Sequence, residues 1–247
     1  MNGAHERARR GVLDAARAKV LGRIADACAA AGRDPAQVRL LPVTKTVPAR
    51  DVALLADLGQ LDAAEARDGE AVAKVAEVAA LRPGAGVRWH MVGRVQRNKA
   101  PSVARWAVQV QSVDSLRLAD ALDRAVRSAQ RAGQRHTPLG VLLQVSLDGD
   151  PARGGCPASG LEALADRVAA APGLRFEGVM AVAPLRLDPR TAFAALRDIA
   201  DRIRRSHPGA RELSAGMSGD LEQAIAYGST CVRVGTALLG ARPLTSK

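Results

Sequence analysis

The sequence predicts a single (β/α)8 TIM barrel over residues 1–247 with an extra N-terminal helix, and three observations predict it. Strand-like and helix-like segments alternate eight times in units of about 25 to 30 residues, which calls for a parallel sheet covered by helices. No Gly/Ser-rich linker or shift in composition divides the chain. No GxGxxG turn follows the first strand, where a doubly wound nucleotide-binding sheet would carry one.

The elements follow in order. Over 5–31, Leu13, Ala16, Val20, Leu21, Ile24, Ala27 and Cys28 recur at spacings of three and four, with Gly32 as a C-cap, so the segment is an amphipathic helix that plugs or flanks the barrel bottom. Residues 38–43 read as the first buried strand and 48–59 as its helix. A weak strand at 60–64 precedes an alanine-rich helix at 67–81, and a third strand at 87–93 precedes a helix at 98–105. The fourth unit is a strand at 107–113 and a helix at 115–132 ended by Gly133. The fifth is the fully apolar strand 139–147 with a helix at 160–171. A strand at 176–182, a loop at 184–189 and a helix at 191–206 make the sixth. Strand 212–215, helix 220–227 and a last apolar strand at 231–239 complete the set.

Composition narrows the class. The net charge is +11 and the pI near 10.8, but the basic residues are interspersed with Asp and Glu and aromatics make up 2%, so the balance reads as a surface bias and nucleic acid is not the expected partner. Anionic small ligands would still be attracted. Cys28, Cys156 and Cys231 lie far apart with no metal-ligand spacing, so neither a disulfide framework nor a metal site is expected. A polar N-terminus without an apolar core, and no run near the roughly 18 apolar residues of a membrane span, predict a soluble cytoplasmic protein.

Functional residues of such a barrel stand at the C-terminal ends of its strands. The first strand ends in Lys45, one of five lysines against thirty-one arginines. Unlike arginine, a lysine can lose its proton and attack a carbonyl, although a strand-end lysine also commonly pairs with a carboxylate such as Glu65. After the seventh strand, Ser214-Ala215-Gly216-Met217-Ser218-Gly219-Asp220 runs from small residues into a helix. After the eighth, Gly235-Thr236 makes a second bend with a hydroxyl. These are the two places where barrels hold phosphate, although either string alone is compatible with a plain turn. Arg233 alternates onto one face of an apolar strand and needs a partner inside the mouth, either a ligand or a carboxylate of a neighbouring strand. An amine, a phosphate turn and an inward guanidinium together describe pyridoxal 5′-phosphate, with its aldehyde, phosphate and ring nitrogen.

These residues resemble the pyridoxal phosphate homeostasis proteins (the YggS/PROSC family), which share the barrel of alanine racemase. The resemblance spans about 38–243. It rests on Val43-Thr44-Lys45-Thr46-Val47-Pro48, on Trp89-His90-Met91-Val92-Gly93-Arg94-Val95-Gln96-Arg97-Asn98-Lys99, on Ser112-Val113-Asp114-Ser115, on Gly216-Met217-Ser218-Gly219-Asp220-Leu221-Glu222 and on Gly228-Ser229-Thr230-Cys231-Val232-Arg233-Val234-Gly235-Thr236. It implies an alanine racemase-like fold in which Lys45 forms an internal aldimine with the cofactor. Ser218 with Met217, Gly235 and Thr236 would hold the phosphate beside Ser214, Arg233 would face the ring nitrogen, and His90 would lie near the ligand face or be satisfied in the barrel wall. The chain departs from the family where Ala63-Ala64-Glu65-Ala66 stands for Phe-Gly-Glu-Asn, where Ser146 stands for a common asparagine, and where Arg153-Gly154-Gly155 replaces a lysine-containing loop.

An arginine donates a proton to the ring nitrogen poorly, so the bound ring would be a weak electron sink. The racemases with this barrel take a second base, a tyrosine, from an added β-domain, whereas eleven residues follow Thr236 here and the one tyrosine is Tyr227. The expectation is therefore a monomeric carrier with no catalytic residues, serving storage, delivery or scavenging of pyridoxal phosphate for cofactor-dependent apo-enzymes. A small amino-acid racemase is the alternative.

Overall fold

The computed structural model describes residues 2–240; Met1 and 241–247, the ends of the expected 1–247 domain, lie outside the described residues. The chain winds as α1 (Asn2–Ala30), β1 (Arg39–Pro42), α2 (Ala49–Asp57), β2 (Asp62–Glu65), α3 (Asp68–Leu81), β3 (Arg88–Met91), α4 (Ala100–Trp106), β4 (Gln109–Val113), α5 (Leu116–Arg131), β5 (Leu139–Gln144), α6 (Leu161–Ala169), β6 (Leu174–Met180), α7 (Pro189–Ser206), β7 (Glu212–Ser214), α8 (Leu221–Ala226), β8 (Cys231–Val234) and α9 (Thr236–Leu239). All strand pairs are parallel, in the order β1-β8-β7-β6-β5-β4-β3-β2. A Val43–Ala64 bridge and the Thr44 N–H on the Ala64 carbonyl at 2.8 Å join the two ends, so the sheet closes into the expected barrel.

The last apolar run departs from expectation. Residues 231–239 are not one strand: β8 stops at Val234, Gly235 turns the backbone (φ −106°, ψ −80°), and Thr236–Leu239 forms α9. The N–H groups of Leu238 and Leu239 return to the Gly235 carbonyl at 3.0 and 2.9 Å. Apolar character persists because Leu238 and Leu239 pack on Leu13, Val20 and Ile24, a burial need that a helical turn meets as well as a strand does. β6 also begins two residues before the expected 176, because buried Leu174 belongs to it while exposed Arg175 and half-buried Glu177 break the apolar pattern.

Of the two places expected for α1, plugging or flanking the barrel bottom, the structure shows it flanking the barrel. Its apolar stripe lies along the outside, against Leu54 and Leu55 of α2, Leu221 and Ile225 of α8 and the outer side chains of β8. Since α9 is only four residues long, α1 fills the outer ring between α8 and α2.

Inside the ring, side chains alternate inward and outward as strand geometry requires. The N-terminal half holds a polar layer of Arg39, Asp62, His90, Gln109, Glu177 and Glu212, joined to one another by hydrogen bonds and ion pairs. Above it lies an apolar layer of Leu41, Ala64 and Cys231, with Val43 and Val92 packed against them.

Candidate functional site

The mouth is built where β1, β8 and β7 end side by side. Register pairs Leu41 with Arg233 and Pro42 with Val234, and the Val43 N–H donates to the Val234 carbonyl at 2.9 Å, so Lys45 leaves β1 beside the Gly235-Thr236 bend. Thr46, directly after Lys45, is the one non-glycine residue with positive φ (68°) among the described residues, a conformation that turns the chain sharply from strand to helix. Lys45 is half-buried.

The peptide before Lys45 is fixed from outside the barrel. Lys74 of α3 donates to the Thr44 carbonyl at 2.7 Å and to Glu65 Oε1 at 2.7 Å, and the Thr44 hydroxyl donates to the same Glu65 oxygen at 2.6 Å. Glu65 is fully buried, with Oε2 unpartnered among the described residues. Because Asp62 and Ala64 face inward, Glu65 faces the helices, and its carboxylate serves Lys74 there. Sequence reasoning considered Glu65 and missed Lys74, whose side chain sits on a helix that reads as ordinary.

Arg233 is 5% exposed. Its Nη1 donates to Ser214 Oγ at 2.7 Å and its Nη2 to the Ala181 carbonyl at 2.8 Å, so its partners are a hydroxyl and a carbonyl of neighbouring strands, and no carboxylate pairs with it among the described residues. Burial pushes its pKa down, opposed by Cys231, Asp220 and Glu212. Ser214 in turn donates to Gln111 Oε1 at 2.8 Å, Gln111 Nε2 donates to Gln109 Oε1 at 2.8 Å, and that oxygen lies 3.0 Å from His90 Nδ1.

His90 therefore lies at the far end of this chain. Its Nε2 is 2.8 Å from Asp62 Oδ1 and 3.2 Å from Arg39 Nη1, and its Nδ1 faces Gln109, all members of the lower polar layer, so the structure places it in the barrel wall and not at the mouth. Burial raises the Asp62 carboxyl pKa, but hydrogen bonds from His90 and Arg88 and the charges of His90 and Arg39 outweigh it and hold the group well below the usual carboxylate range. Burial likewise pushes the Cys231 thiol up to about 11, which leaves it an unreactive member of the apolar layer.

The two loops expected to hold phosphate touch each other. Gly216 has φ 90°, and a Cβ there would meet Ala224 Cβ at 2.7 Å, so the bend out of β7 accepts only glycine. Asp220 accepts the Met217 N–H at 2.6 Å, and Ser218 Oγ accepts the Ala237 N–H at 3.4 Å, which joins this loop to the first turn after Thr236. From α1, Arg23 donates to the Ser218 carbonyl at 3.0 Å and to Glu222 at 2.7 Å. Met217 is exposed and lines a cavity of about 340 Å³ with Gln144, Ser146, Arg153, Val182 and Leu185. Ser146 and Arg153 are engaged there: Ser146 Oγ accepts the Gly149 N–H at 3.1 Å, and Arg153 donates to the Val182 and Ala183 carbonyls at 3.0 and 3.1 Å. Lys45, Ser214, Met217, Ser218, Arg233, Gly235 and Thr236 thus gather at one barrel end; His90 does not join them. Among the described residues no group of three or more His, Cys, Asp or Glu is placed to hold a metal ion.

Comparison with known proteins agrees with this architecture. Residues 24–243 match the family described as alanine racemase, N-terminal domain. The pyridoxal phosphate homeostasis protein of Mycobacterium tuberculosis is 49% identical over 243 residues, covering 95% of this chain and 94% of that protein. The structure of PipY from Synechococcus elongatus with pyridoxal phosphate bound is 33% identical with a TM-score of 0.75, covering 88% of this chain and all of PipY. Alanine racemase from Corynebacterium glutamicum shares the fold, at 16% identity and a TM-score of 0.64, over 92% of this chain and 62% of the racemase. Barrel, motifs and relatives agree, and the chain belongs to the pyridoxal phosphate homeostasis protein family, within the alanine racemase N-terminal domain fold.

Proposed function

We propose that this protein binds pyridoxal 5′-phosphate at the mouth formed by β1, β7 and β8 and serves its storage, delivery or scavenging, without amino-acid turnover of its own. The observation that carries the reading is the donor set at one barrel end. A half-buried amine, Lys45, leaves β1 next to the Gly235 bend, at the same barrel end as a buried guanidinium, Arg233, whose partners are neutral, and as two joined loops of glycines and hydroxyls. That set fits the group. The Lys45 amine would hold the aldehyde, Ser218 with Met217, Gly235 and Thr236 would hold the phosphate, and Arg233 would be the group for the ring nitrogen. Ser214 would act on the cofactor by orienting Arg233, and His90 is linked to Arg233 through Gln109, Gln111 and Ser214. The bound group supplies an aldehyde and an electron-withdrawing ring, and a guanidinium beside the nitrogen leaves that ring a weak electron sink. This disfavours turnover chemistry at the site.

Relatives named for pyridoxal phosphate homeostasis and PipY with the cofactor bound support the reading. Its natural recipients are cofactor-dependent apo-enzymes, served by a monomer in the cytoplasm. Among the described residues no helix is long and apolar enough to cross a membrane, which is compatible with that placement.

The test is covalent trapping. Apo-protein mixed with pyridoxal phosphate, reduced with borohydride and digested should yield the adduct on the Lys45 peptide, and Lys45→Ala should yield none. An adduct mapped elsewhere, or undiminished in Lys45→Ala, overturns the assignment. Chiral assay of alanine and other amino acids, scaled to cofactor content, tests the carrier role: turnover that persists through purification and vanishes in Lys45→Ala makes the protein a racemase instead.

A further inference from the structure

Away from the mouth centre, the loops after β3 and β4 and the helix α5 enclose a groove of about 960 Å³, lined by Arg94, Arg97, Arg117 and Arg124 together with Asp114 and Ser115. A second hollow of about 330 Å³ shares Arg97 and Arg124 with it and adds Arg105 and Gln134. All five arginines are exposed.

Elsewhere about half of the described arginines are ion-paired, among them Arg9 with Asp51, Arg82 with Asp57 and Glu6, Arg167 with Asp120 and Arg204 with Asp201. None of the five has an ion pair with a described residue, while Asp114 is the one carboxylate lining either hollow. Mutual repulsion of guanidinium groups crowded around a cavity is relieved when an anion occupies it. A second observation points the same way. The sixteen-residue helix α5 starts at the groove with no acidic residue in its first turn and no side-chain cap from Ser115, and carries Arg117 there. A cation at a helix N-terminus opposes the dipole, and an anion in the groove would satisfy both.

The shape of the site selects among anions. Guanidinium forks suit phosphate oxygens, and several of them around one cavity suit several phosphates. No Phe, Tyr or Trp lines either hollow, so there is no stacking platform for a single-stranded nucleic acid. The volume is that of a small-molecule site, and the Asp114 carboxylate repels phosphate but accepts hydrogen bonds from hydroxyls. We propose that this groove binds a small organic polyphosphate, a molecule with two or more linked phosphates on a hydroxylated carrier, held by Arg94, Arg97, Arg117 and Arg124 with Asp114 on the carrier hydroxyls. The inference stands apart from the cofactor reading, since it uses none of the residues assigned to pyridoxal phosphate.

The test is a calorimetric titration of the full chain with ATP, inorganic triphosphate, inorganic phosphate and a single-stranded RNA oligonucleotide, each with and without saturating pyridoxal phosphate. ATP should bind more tightly than orthophosphate and at least as tightly as inorganic triphosphate. Its affinity should fall about tenfold or more in Arg117→Gln/Arg124→Gln and hold in Arg190→Gln/Arg205→Gln, which removes the same charge from α7. As a check independent of any variant, ATP should protect Arg94, Arg97, Arg117 and Arg124 of the unmodified chain from phenylglyoxal. Equal loss in the two double variants, RNA binding without ATP binding, displacement of ATP by pyridoxal phosphate with no effect of the groove substitutions, or absence of protection overturns the proposal.

Discussion

Lys74 Nζ donates to the Thr44 carbonyl oxygen at 2.7 Å, so a lysine on the outer helix layer holds the peptide that precedes the mouth lysine, Lys45. The same ammonium neutralises Glu65, whose carboxylate is fully buried.

Lys74→Met strands that carboxylate, and removing one member of a buried pair costs about 3–5 kcal/mol. Urea unfolding should show a loss of that order, and Glu65→Gln/Lys74→Met should recover a large part of it. A loss below about 1 kcal/mol in the single variant would mean that water reaches Glu65.

Ser214→Ala removes the acceptor of Arg233 Nη1 and the donor to Gln111 Oε1 in one step. The expected cost is about 1–3 kcal/mol of stability for the buried groups left unpaired. On the proposed role, pyridoxal phosphate affinity weakens by about tenfold for roughly every 1.4 kcal/mol of lost orientation. Trapping at Lys45 should survive, because the amine is untouched; fluorescence titration against borohydride mapping separates the two effects.

Asp62 makes stability depend on pH in a defined direction. Its folded pKa is depressed, so the contribution is fully present above the unfolded value, about 3.9, and is lost as pH falls through that value toward the folded one. Thermal melts from neutral to acid pH should show this loss in the parent chain. In Asp62→Asn the acid limb should be shallower and the neutral-pH melting temperature lower. An unchanged acid limb would show that the lower polar layer does not carry the dependence.

At Gly216, alanine meets Ala224 Cβ at 2.7 Å with φ at 90°, and the strain expected of such a residue is about 1–3 kcal/mol. Gly216→Ala should melt at lower temperature and release the Ser218–Ala237 contact, seen as faster amide exchange at Ala237. Gly219→Ala, where a Cβ meets nothing within 4 Å, is the matched control.

Much of this was legible in the sequence because the barrel repeats one physical problem eight times: an apolar strand buried on both faces, then an amphipathic helix covering it. Lys45, Ser218, Arg233 and Thr236 could be placed at one end from strand ends alone. What escaped were relations that no local pattern encodes. Asp62, Gln109, Glu177 and Glu212 look like strand-start surface residues until the ring closes and each becomes another's partner. His90 carries the same lesson, since a histidine within a strand is as compatible with the lower layer as with the mouth. The break at Gly235 is hidden because the apolar run continues through it from strand into helix.

The placement of α1 also shapes how the molecule is made. Its apolar stripe packs on α2, close in sequence, and on α8, α9 and the outside of β8, which lie about two hundred residues further along the chain. The α2 contacts are local, whereas those with α8, α9 and β8 belong to the long-range steps of folding that close the outer ring. One helix thus ties the first β/α unit to the last, so the seam where the ring closes is held from outside by α1 as well as by the β1–β8 ladder.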